Sequence, residues 1–178
     1  CVRRTLEGDT NAFEEIVTRY QRSVFNAVYH MVRDREDALE ISQTVFMKAF
    51  ASLSQFDPKR RFFSWMYRIA MNESINFVAA RRTFQPMEPS MAGGARDPEE
   101  RAASEELRLQ LMEALATLPA EQRAVVVVRH VLGCSYHEAA EVLGVPEKTV
   151  KSRLFSARRS LRDALIARGY REGSSSHA

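Results

Sequence analysis

Six basic side chains lie within the segment VPEKTVKSRLFSARRSLRDAL, residues 145–165. Lysine and arginine bind phosphate oxygens or donate hydrogen bonds to O6 and N7 of guanine, so such a segment suits nucleic acid. Apolar residues recur in it at steps of four, three, four and four, which is helical spacing. We therefore predict a helix with two faces. Val150, Leu154, Ala157, Leu161 and Leu165 form the inward face, and Lys148, Lys151, Phe155, Arg158 and Arg162 form the basic face.

A shorter helix is predicted just before this segment, from Tyr136 to Leu143, ending at Gly144. Ser135 and Glu138 have capping-box spacing, in which each side chain satisfies a free N–H of the other residue. A short helix, a tight turn and a longer helix form the helix-turn-helix pattern, whose second helix enters the DNA major groove. The alternative is a solvated basic face on an ordinary helical bundle, which the capped helix and the glycine turn disfavour.

A second segment mixes aromatic and basic residues: FDPKRRFFSWMYRIAMNESINF, residues 56–77. Unpaired bases stack on aromatic rings while cations follow the backbone, so this composition suits single-stranded nucleic acid. The alternative is that the rings belong to the core, which we expect for Phe62 and Trp65 because they are in register with Ile69. A mixed polar and aromatic surface is expected for Phe63, Tyr67, Asn72 and Asn76.

Helical periodicity predicts the elements that carry these segments. One helix covers Phe13 to Met31, a second begins after the capping residue Asp34, and a third runs from about Ser64 towards Arg82. Pro119 is predicted to open a further helix at its first position. The run Val125–Val128 favours a strand by propensity, but no strand nearby could pair with it, so helix is predicted. Before Pro119, an apolar stripe is expected from Leu107, Leu111, Leu115 and Leu118.

Prolines and a glycine pair interrupt the chain in QPMEPSMAGGARDPEE, residues 85–100. Such a composition resists regular structure and indicates a flexible linker. The predicted fold is therefore all-α, with two small helical domains at 1–84 and 107–170 joined by a linker at 85–106. Basic residues outnumber acidic ones by 13 to 10 in 1–84 and by 11 to 7 in 107–178, whereas 85–106 carries 2 basic and 6 acidic residues. The net charge of only +3 argues against tight, indiscriminate DNA binding by the free protein.

Several other classes of protein are disfavoured. No apolar run approaches the ~18–20 residues that span a bilayer, and the start CVRRTLEGD lacks a signal-peptide core, so no membrane insertion and a cytoplasmic location are expected. The absence of an initiator Met suggests that Cys1 is not the natural start. Two cysteines and four histidines without ligand spacing predict no disulfide framework, no metal site and no cofactor. We also expect no enzymatic activity, because no catalytic motif accompanies the acidic residues.

The chain resembles the extracytoplasmic-function sigma factors, the small two-domain promoter-recognition subunits of bacterial RNA polymerase. The resemblance covers nearly the whole chain. It rests on the stretch from GDTNAFEE to YRIAMN, residues 8–72, for region 2, and on the stretch from LPAEQR to ARRSL, residues 118–161, for region 4. Two such blocks in this order, separated by a linker of this size, are specific to the family.

The resemblance implies three sets of binding residues. Docking on the β′ clamp helices of core RNA polymerase is implied for Asp37, Glu40, Gln43 and Phe46, and the β flap is the further polymerase contact expected. Opening of the minus-ten promoter element is implied for Arg60, Arg61, Phe63, Tyr67, Arg68, Asn72, Asn76, Arg81 and Arg82. Reading of the minus-thirty-five element is implied for Lys148, Thr149, Lys151, Ser152, Arg153, Phe155, Arg158 and Arg159.

The sequence departs from the family's pattern at four positions. Thr44 stands where many members have Glu, Asn76 where they have Asp, Ala79 where they have Arg, and Lys148 where they have Gly. The family resemblance also implies an anti-sigma factor as a partner, besides promoter DNA and core polymerase. A helix-turn-helix regulator that never joins polymerase is the rival hypothesis. It accounts for residues 119–165 but leaves the aromatic and basic segment at 56–77 without a role.

Overall fold

The computed structural model describes residues 1–84 and 109–167, and within those ranges every regular element is helical. The first range contains α1 (Val2–Leu6), α2 (Asn11–Val32), α3 (Arg35–Ala51), a 3₁₀ turn (Leu53–Gln55) and α4 (Phe62–Phe84). The second contains α5 (helical residues 109–117), α6 (Ala120–Val126), a π-helical turn (Val127–Val131), α7 (Tyr136–Leu143) and α8 (Glu147–Ala167). The all-α prediction is confirmed. The predicted linker at 85–106 lies outside the described residues, as does Leu107.

Helices α2, α3 and α4 pack against one another and form the first domain. The inward face of α3 consists of Ala38, Ile41, Val45 and Ala49, all of them buried, and Leu53 of the 3₁₀ turn continues it. Asp34 caps α3 as expected, because its carboxylate accepts the N–H of Glu36 at 2.8 Å and of Asp37 at 3.0 Å. The cap starts α3 sharply after Arg33, whose φ of 65° ends α2.

Helices α6, α7 and α8 form the second domain. Val125–Val128 are all buried, and they lie in α6 and the π-helical turn that continues it, so the prediction of helix over strand is confirmed. A helix that is apolar on all sides is stable only when it is surrounded by protein. Here α8 and α7 supply part of that surrounding, and α2 and α4 of the first domain supply the rest.

Two expectations for the start of the second domain are wrong in detail. Leu115 and Leu118 of the predicted stripe are buried, but Leu111 is 43% exposed, and Met112 and Ala114 are the further buried residues of α5. Pro119 precedes α6 as its N-cap and does not occupy the first helical position. Its carbonyl accepts the N–H groups of Gln122 and Arg123 at 3.0 and 2.9 Å, so it still starts the helix.

The two domains share one buried core, and a single arginine crosses it. Arg123 in α6 is only 1% exposed, and its guanidinium donates to the main-chain carbonyl of Met31 in α2. The same group donates to the carbonyls of Ala116 at 2.6 Å and Leu118 at 3.4 Å. Met31 and Ala116 lie in the last turns of α2 and α5, where carbonyls lack intrahelical donors and a cation is favoured by the helix dipole.

Leu154→Ala tests the inward face of α8. Leu154 is fully buried, so the cavity left by the substitution is expected to lower the free energy of unfolding by about 2–5 kcal/mol. Phe155→Ala, at the next position, is the matched control. The Phe155 side chain is 72% exposed, so its loss is expected to change the free energy of unfolding by less than about 0.5 kcal/mol. Urea unfolding followed by circular dichroism measures both. Equal losses in the two variants would contradict the assignment of the two faces.

Candidate nucleic-acid interface

The exposed face of α8 carries a ring among cations. Phe155 is 72% exposed, and Lys148, Lys151, Arg158 and Arg162 are exposed with it, as the sequence predicted. The opposite face packs inward through Val150, Leu154 and Ala157, while Leu161 and Leu165 are half-buried. Of the other residues predicted here, Ser152 and Arg159 are exposed, and Thr149 and Arg153 are half-buried.

The turn before α8 has the geometry that the capping box and glycine predicted. The Ser135 hydroxyl accepts the Glu138 N–H at 3.2 Å, and the Glu138 carboxylate accepts the Ser135 N–H at 2.8 Å. Gly144 ends α7 with φ of 65°, a conformation that costs glycine little and other residues more. This turn sets the angle at which α8 leaves α7 and presents its basic face.

Tyr136, at the start of α7, holds two cations against its ring. The Arg129 guanidinium lies 4.4 Å from the ring centroid and the Lys151 ammonium lies 5.4 Å from it. Arg129 was not among the residues predicted to bind DNA. It follows the apolar run Val125–Val128 and lies outside α8, so the helical spacing of the α8 cations does not include it. Burial and the nearby charges of Arg158 and Arg129 lower the pKa of His130. The basic surface therefore extends from α8 to the π-helical turn.

In α4 the aromatic segment divides between core and surface. Phe62 and Trp65 are half-buried and cluster with Phe56, at centroid distances of 5.5 and 5.3 Å, which agrees with the core expectation. The expectation of a surface position for Tyr67 is wrong. Its ring is 1% exposed and its hydroxyl donates to Ser23 at 2.7 Å, which satisfies the one polar atom and lets the ring fill the core.

Burial raises the pKa of Tyr67. Phe63 is half-buried and packs on Tyr67 with ring centroids 4.4 Å apart. Asn72 and Asn76 are exposed on α4, as expected, and so is Ala79. The exposed surface of α4 therefore includes two amides, and the buried Tyr67 packs against the half-buried Phe63 ring nearby.

The basic residues predicted for the minus-ten element have different surroundings. Arg60 is exposed. Arg81 forms an ion pair with Asp37 of α3, which links a predicted DNA residue to a predicted polymerase residue. Arg82 is near the end of α4, and its side chain lies outside the described part of the chain. Arg61 and Arg68 both contact α7 of the second domain, where their partners are Glu138 and the carbonyl of Glu141.

Helix α3 carries an exposed apolar stripe that the sequence reading missed. Leu39, Met47 and Phe50 are exposed, with Met47 at 65%, and we call these three residues the α3 stripe. Glu40 and Gln43 are also exposed, whereas Phe46 and Thr44 are half-buried. Several large exposed apolar side chains on one helix are typical of an interaction surface. The sequence does contain a signal for the α3 stripe. Its members form a second set of apolar residues beside the buried set, in steps of eight and three from Leu39.

Among the described residues, no three His, Cys, Asp or Glu side chains are placed together to hold a metal ion. No helix within those residues is long and apolar enough to cross a bilayer. Cys134 is buried beside the turn into α7, and burial raises the pKa of its thiol to about 11. That thiol is therefore protonated and unreactive at neutral pH.

The Glu138 carboxylate gives a pH-dependent contribution to stability. The pKa of this carboxylate is lowered from 4.5 to about 2. The causes are its hydrogen bonds to Ser135, first to the backbone N–H and then to the side chain, and its pairing with Arg61. Since the folded-state pKa is the lower one, the contribution is present above pH ~4.5 and is lost as the pH falls towards about 2. The difference in unfolding free energy between the wild type and Glu138→Gln is expected to shrink in that window. Urea unfolding between pH 7 and pH 3 measures it, and a difference independent of pH would contradict the assignment.

Both halves of the chain match known family models. The model described as Sigma-70 region 2 matches residues 16–84, and the one described as Sigma-70, region 4 matches residues 108–161. The ECF RNA polymerase sigma-E factor of Escherichia coli K12 is 34% identical over 172 residues, covering 90% of each chain. The RNA polymerase sigma-H factor of Pseudomonas aeruginosa is 30% identical over 176 residues, covering 92% of this chain and 91% of its own.

Solved structures agree with these sequence matches. CnrH, solved in complex with the cytosolic domain of CnrY, superposes with a TM-score of 0.70 at 27% identity, covering 93% of this chain and 95% of its own. RpoE from Bartonella quintana, solved with the anti-sigma factor NepR, has the same fold with a TM-score of 0.69 at 20% identity, covering 88% and 98%. The order of the two regions, the helix-turn-helix geometry and the full-length relatives together show that the chain belongs to the extracytoplasmic-function sigma factors of RNA polymerase.

Proposed function

We propose that the chain joins core RNA polymerase and directs transcription initiation at a specific set of promoters. The observation that carries this proposal is the exposed aromatic and basic face of α8, built on a capped helix-turn-helix within a chain that also has region 2. A catalytic group is not required of this chain, because polymerase performs the chemistry. The chain acts in the cytoplasm, where bacterial polymerase transcribes.

Region 4 reads duplex DNA through α8. Lys148, Lys151, Arg158 and Arg159 bind phosphates or guanine edges, and the exposed Phe155 ring contacts an apolar edge such as a thymine methyl. Arg129, held on the face of Tyr136 together with Lys151, adds a cation beside the same surface. Thr149, Ser152 and Arg153 are further members of this minus-thirty-five surface.

Region 2 stabilises unpaired bases of the minus-ten element through α4. Exposed amides such as Asn72 and Asn76 can donate and accept hydrogen bonds with base edges that duplex DNA keeps paired. Phe63 offers a partly exposed ring for stacking, and Arg60, Arg61 and Arg68 supply charge for the backbone. Tyr67 acts here as support for Phe63, and Arg81 is held by Asp37.

The α3 stripe docks on polymerase, and the β′ clamp helices are the proposed partner. Exposed Glu40 and Gln43 lie on the same helix and supply polar groups, and the half-buried Phe46 supplies further apolar surface. The β flap is the proposed contact of region 4. A tether between the domains, proposed at residues 85–106 between units at 1–84 and 107–170, raises the effective concentration of one domain once the other has bound.

An anti-sigma factor is the proposed regulatory partner. The Bartonella quintana RpoE, which shares this fold, is solved with the anti-sigma factor NepR, and CnrH is solved with the cytosolic domain of CnrY. The same α3 stripe and α4 surface that polymerase and DNA require would be the surfaces to cover. The rival function, a helix-turn-helix regulator outside polymerase, would leave the α3 stripe exposed without a partner.

The proposal is tested by in vitro transcription with bacterial core polymerase on a library of randomised promoters. Defined transcripts that require the chain are expected, and alignment of their upstream sequences would give the promoter elements. Selective duplex binding without any chain-dependent transcript would instead support the regulator hypothesis.

Met47→Glu is expected to weaken binding to core polymerase by about tenfold or more, since a carboxylate at the centre of an apolar contact must be desolvated without a partner. Titration of the fluorescently labelled chain with core polymerase measures the affinity. Leu6→Glu is the control, because Leu6 is a comparably exposed apolar residue on α1. The docking surface is misassigned if both variants bind as the wild type does.

Lys151→Ala and Phe155→Ala are expected to change DNA binding in different ways. Loss of the Lys151 charge lowers duplex affinity and reduces the slope of log affinity against log salt by about one. Loss of the Phe155 ring relaxes the preference at one base pair, at a cost of about 1–3 kcal/mol for the preferred sequence. Binding to selected and randomised duplexes at several salt concentrations separates the two, and unchanged affinity in both would refute the role of α8.

A further inference from the structure

The two helices of the helix-turn-helix are linked by a histidine that lies between two carboxylates. His137 is in α7, where its Nε2 atom is 3.7 Å from the carboxylate of Glu141 on the same helix. Its Nδ1 atom is 3.3 Å from the carboxylate of Glu147, the first residue of α8. A neutral imidazole has one N–H and one lone pair, whereas an imidazolium has two N–H groups. The protonated ring is therefore the form that can donate to both carboxylates.

Glu147 also contacts a cation of the DNA surface. Its Oε2 atom lies 3.7 Å from the ammonium of Lys151, one turn further along α8, while its Oε1 atom faces His137. A glutamate four residues before a lysine is the favourable order for such a pair on a helix. One carboxylate is thus shared between a lysine that is always charged near neutral pH and a histidine, the side chain whose charge changes between about pH 5 and pH 8.

The Glu147 carboxylate opposes the use of Lys151 on DNA. An ammonium held by a carboxylate must leave it before it can bind a phosphate, and the carboxylate itself repels the phosphate. A positive charge on His137 neutralises that carboxylate from its other side. The three side chains are open to solvent, with His137 75% exposed, so the pairs are weak enough to exchange.

The other charged groups near His137 have different partners. On α4, which packs against α7, Arg61 pairs with Glu138 and is not held by Glu147. The Arg68 guanidinium donates to the main-chain carbonyl of Glu141. Glu138 keeps its negative charge between pH 5 and pH 8, because its pKa is about 2. Of the carboxylates around His137, Glu147 is therefore the one that is paired with a cation of α8.

We propose that Glu147 restrains Lys151 and that protonation of His137 releases it, so that region 4 binds duplex DNA more tightly as the pH falls. A neutral ring leaves the Glu147 carboxylate to Lys151. A charged ring pairs with that carboxylate and frees the ammonium for a phosphate or a guanine. This inference rests on the proposed role of α8 in reading the minus-thirty-five element. It makes promoter binding by this chain sensitive to pH.

Duplex binding at pH 8 and at about pH 5.5 tests the release of Lys151 in the full chain. The probe is a fluorescein-labelled duplex enriched from a randomised pool by the wild type. Relative to His137→Gln, the wild type is expected to gain about twofold to fivefold in affinity as the pH falls. The ratio of the two proteins removes the effect of His130, which lies near Arg158 and is retained in both.

Glu147→Gln separates release of Lys151 from a simple gain of charge on the ring. It is expected to bind the probe about twofold to fivefold more tightly than the wild type at pH 8 and equally tightly at about pH 5.5. Glu14→Gln is the matched control, because it removes the same charge from an exposed position on α2 and is expected to bind as the wild type does at both pH values. Thermal unfolding checks that each variant is folded.

The inference is refuted if the wild type and His137→Gln change affinity alike with pH, or if Glu147→Gln gains nothing at pH 8. An equal gain in Glu14→Gln would also refute it, as an effect of net charge alone. Failure of the proposed function is seen separately, as the absence of chain-dependent transcripts with core polymerase. Normal transcription together with a pH profile that His137→Gln leaves unchanged refutes the release of Lys151 alone.

Discussion

Arg123 places one positive charge where two helix ends meet. The last turns of α2 and α5 present carbonyls that their own helices cannot satisfy, and the Arg123 guanidinium donates to Met31 and Ala116 there. A buried cation is tolerated only when hydrogen bonds replace its hydration, and two negative helix termini provide further compensation. Arg123 therefore links α6 to the end of α2, on the same side of the first domain where α7 packs on α4.

The contact between the domains is mixed in character, which distinguishes it from the interior of each domain. Within the first domain, α3 and α4 bury aliphatic side chains and the Tyr67 ring. Between the domains, Arg61, Ser64 and Arg68 meet carboxylates and a carbonyl of α7, and these groups would find water again if the helices parted. The buried Val125–Val128 run and Arg123 belong to the same interface, so only its polar part, between α4 and α7, costs less to open than an apolar contact of equal size. The proposed function, in which the two domains bind separate promoter elements, would benefit from that property.

Sequence periodicity predicted most of the fold because each helix buries a regular apolar face. The capping residues Asp34 and Ser135 and the terminator Gly144 were recognisable for the same reason, since they act on neighbours in sequence. Tyr67 was misplaced because its burial depends on Ser23, 44 residues away, which satisfies its hydroxyl. The α3 stripe was missed because periodicity identifies the apolar residues of a helix but does not show which of them stay exposed in the fold. The pairing of Arg61 with Glu138 spans 77 residues and has no local signal.

The reactivity of promoter thymines to permanganate tests the central claim most directly, since it reports unpaired bases in a duplex promoter. A promoter selected by transcription would be treated with core polymerase alone, with the chain alone, and with both. Reactive thymines in the minus-ten element only when both are present would support a chain that positions polymerase and opens DNA through region 2. A promoter that the chain binds with polymerase while every thymine stays unreactive would contradict this account.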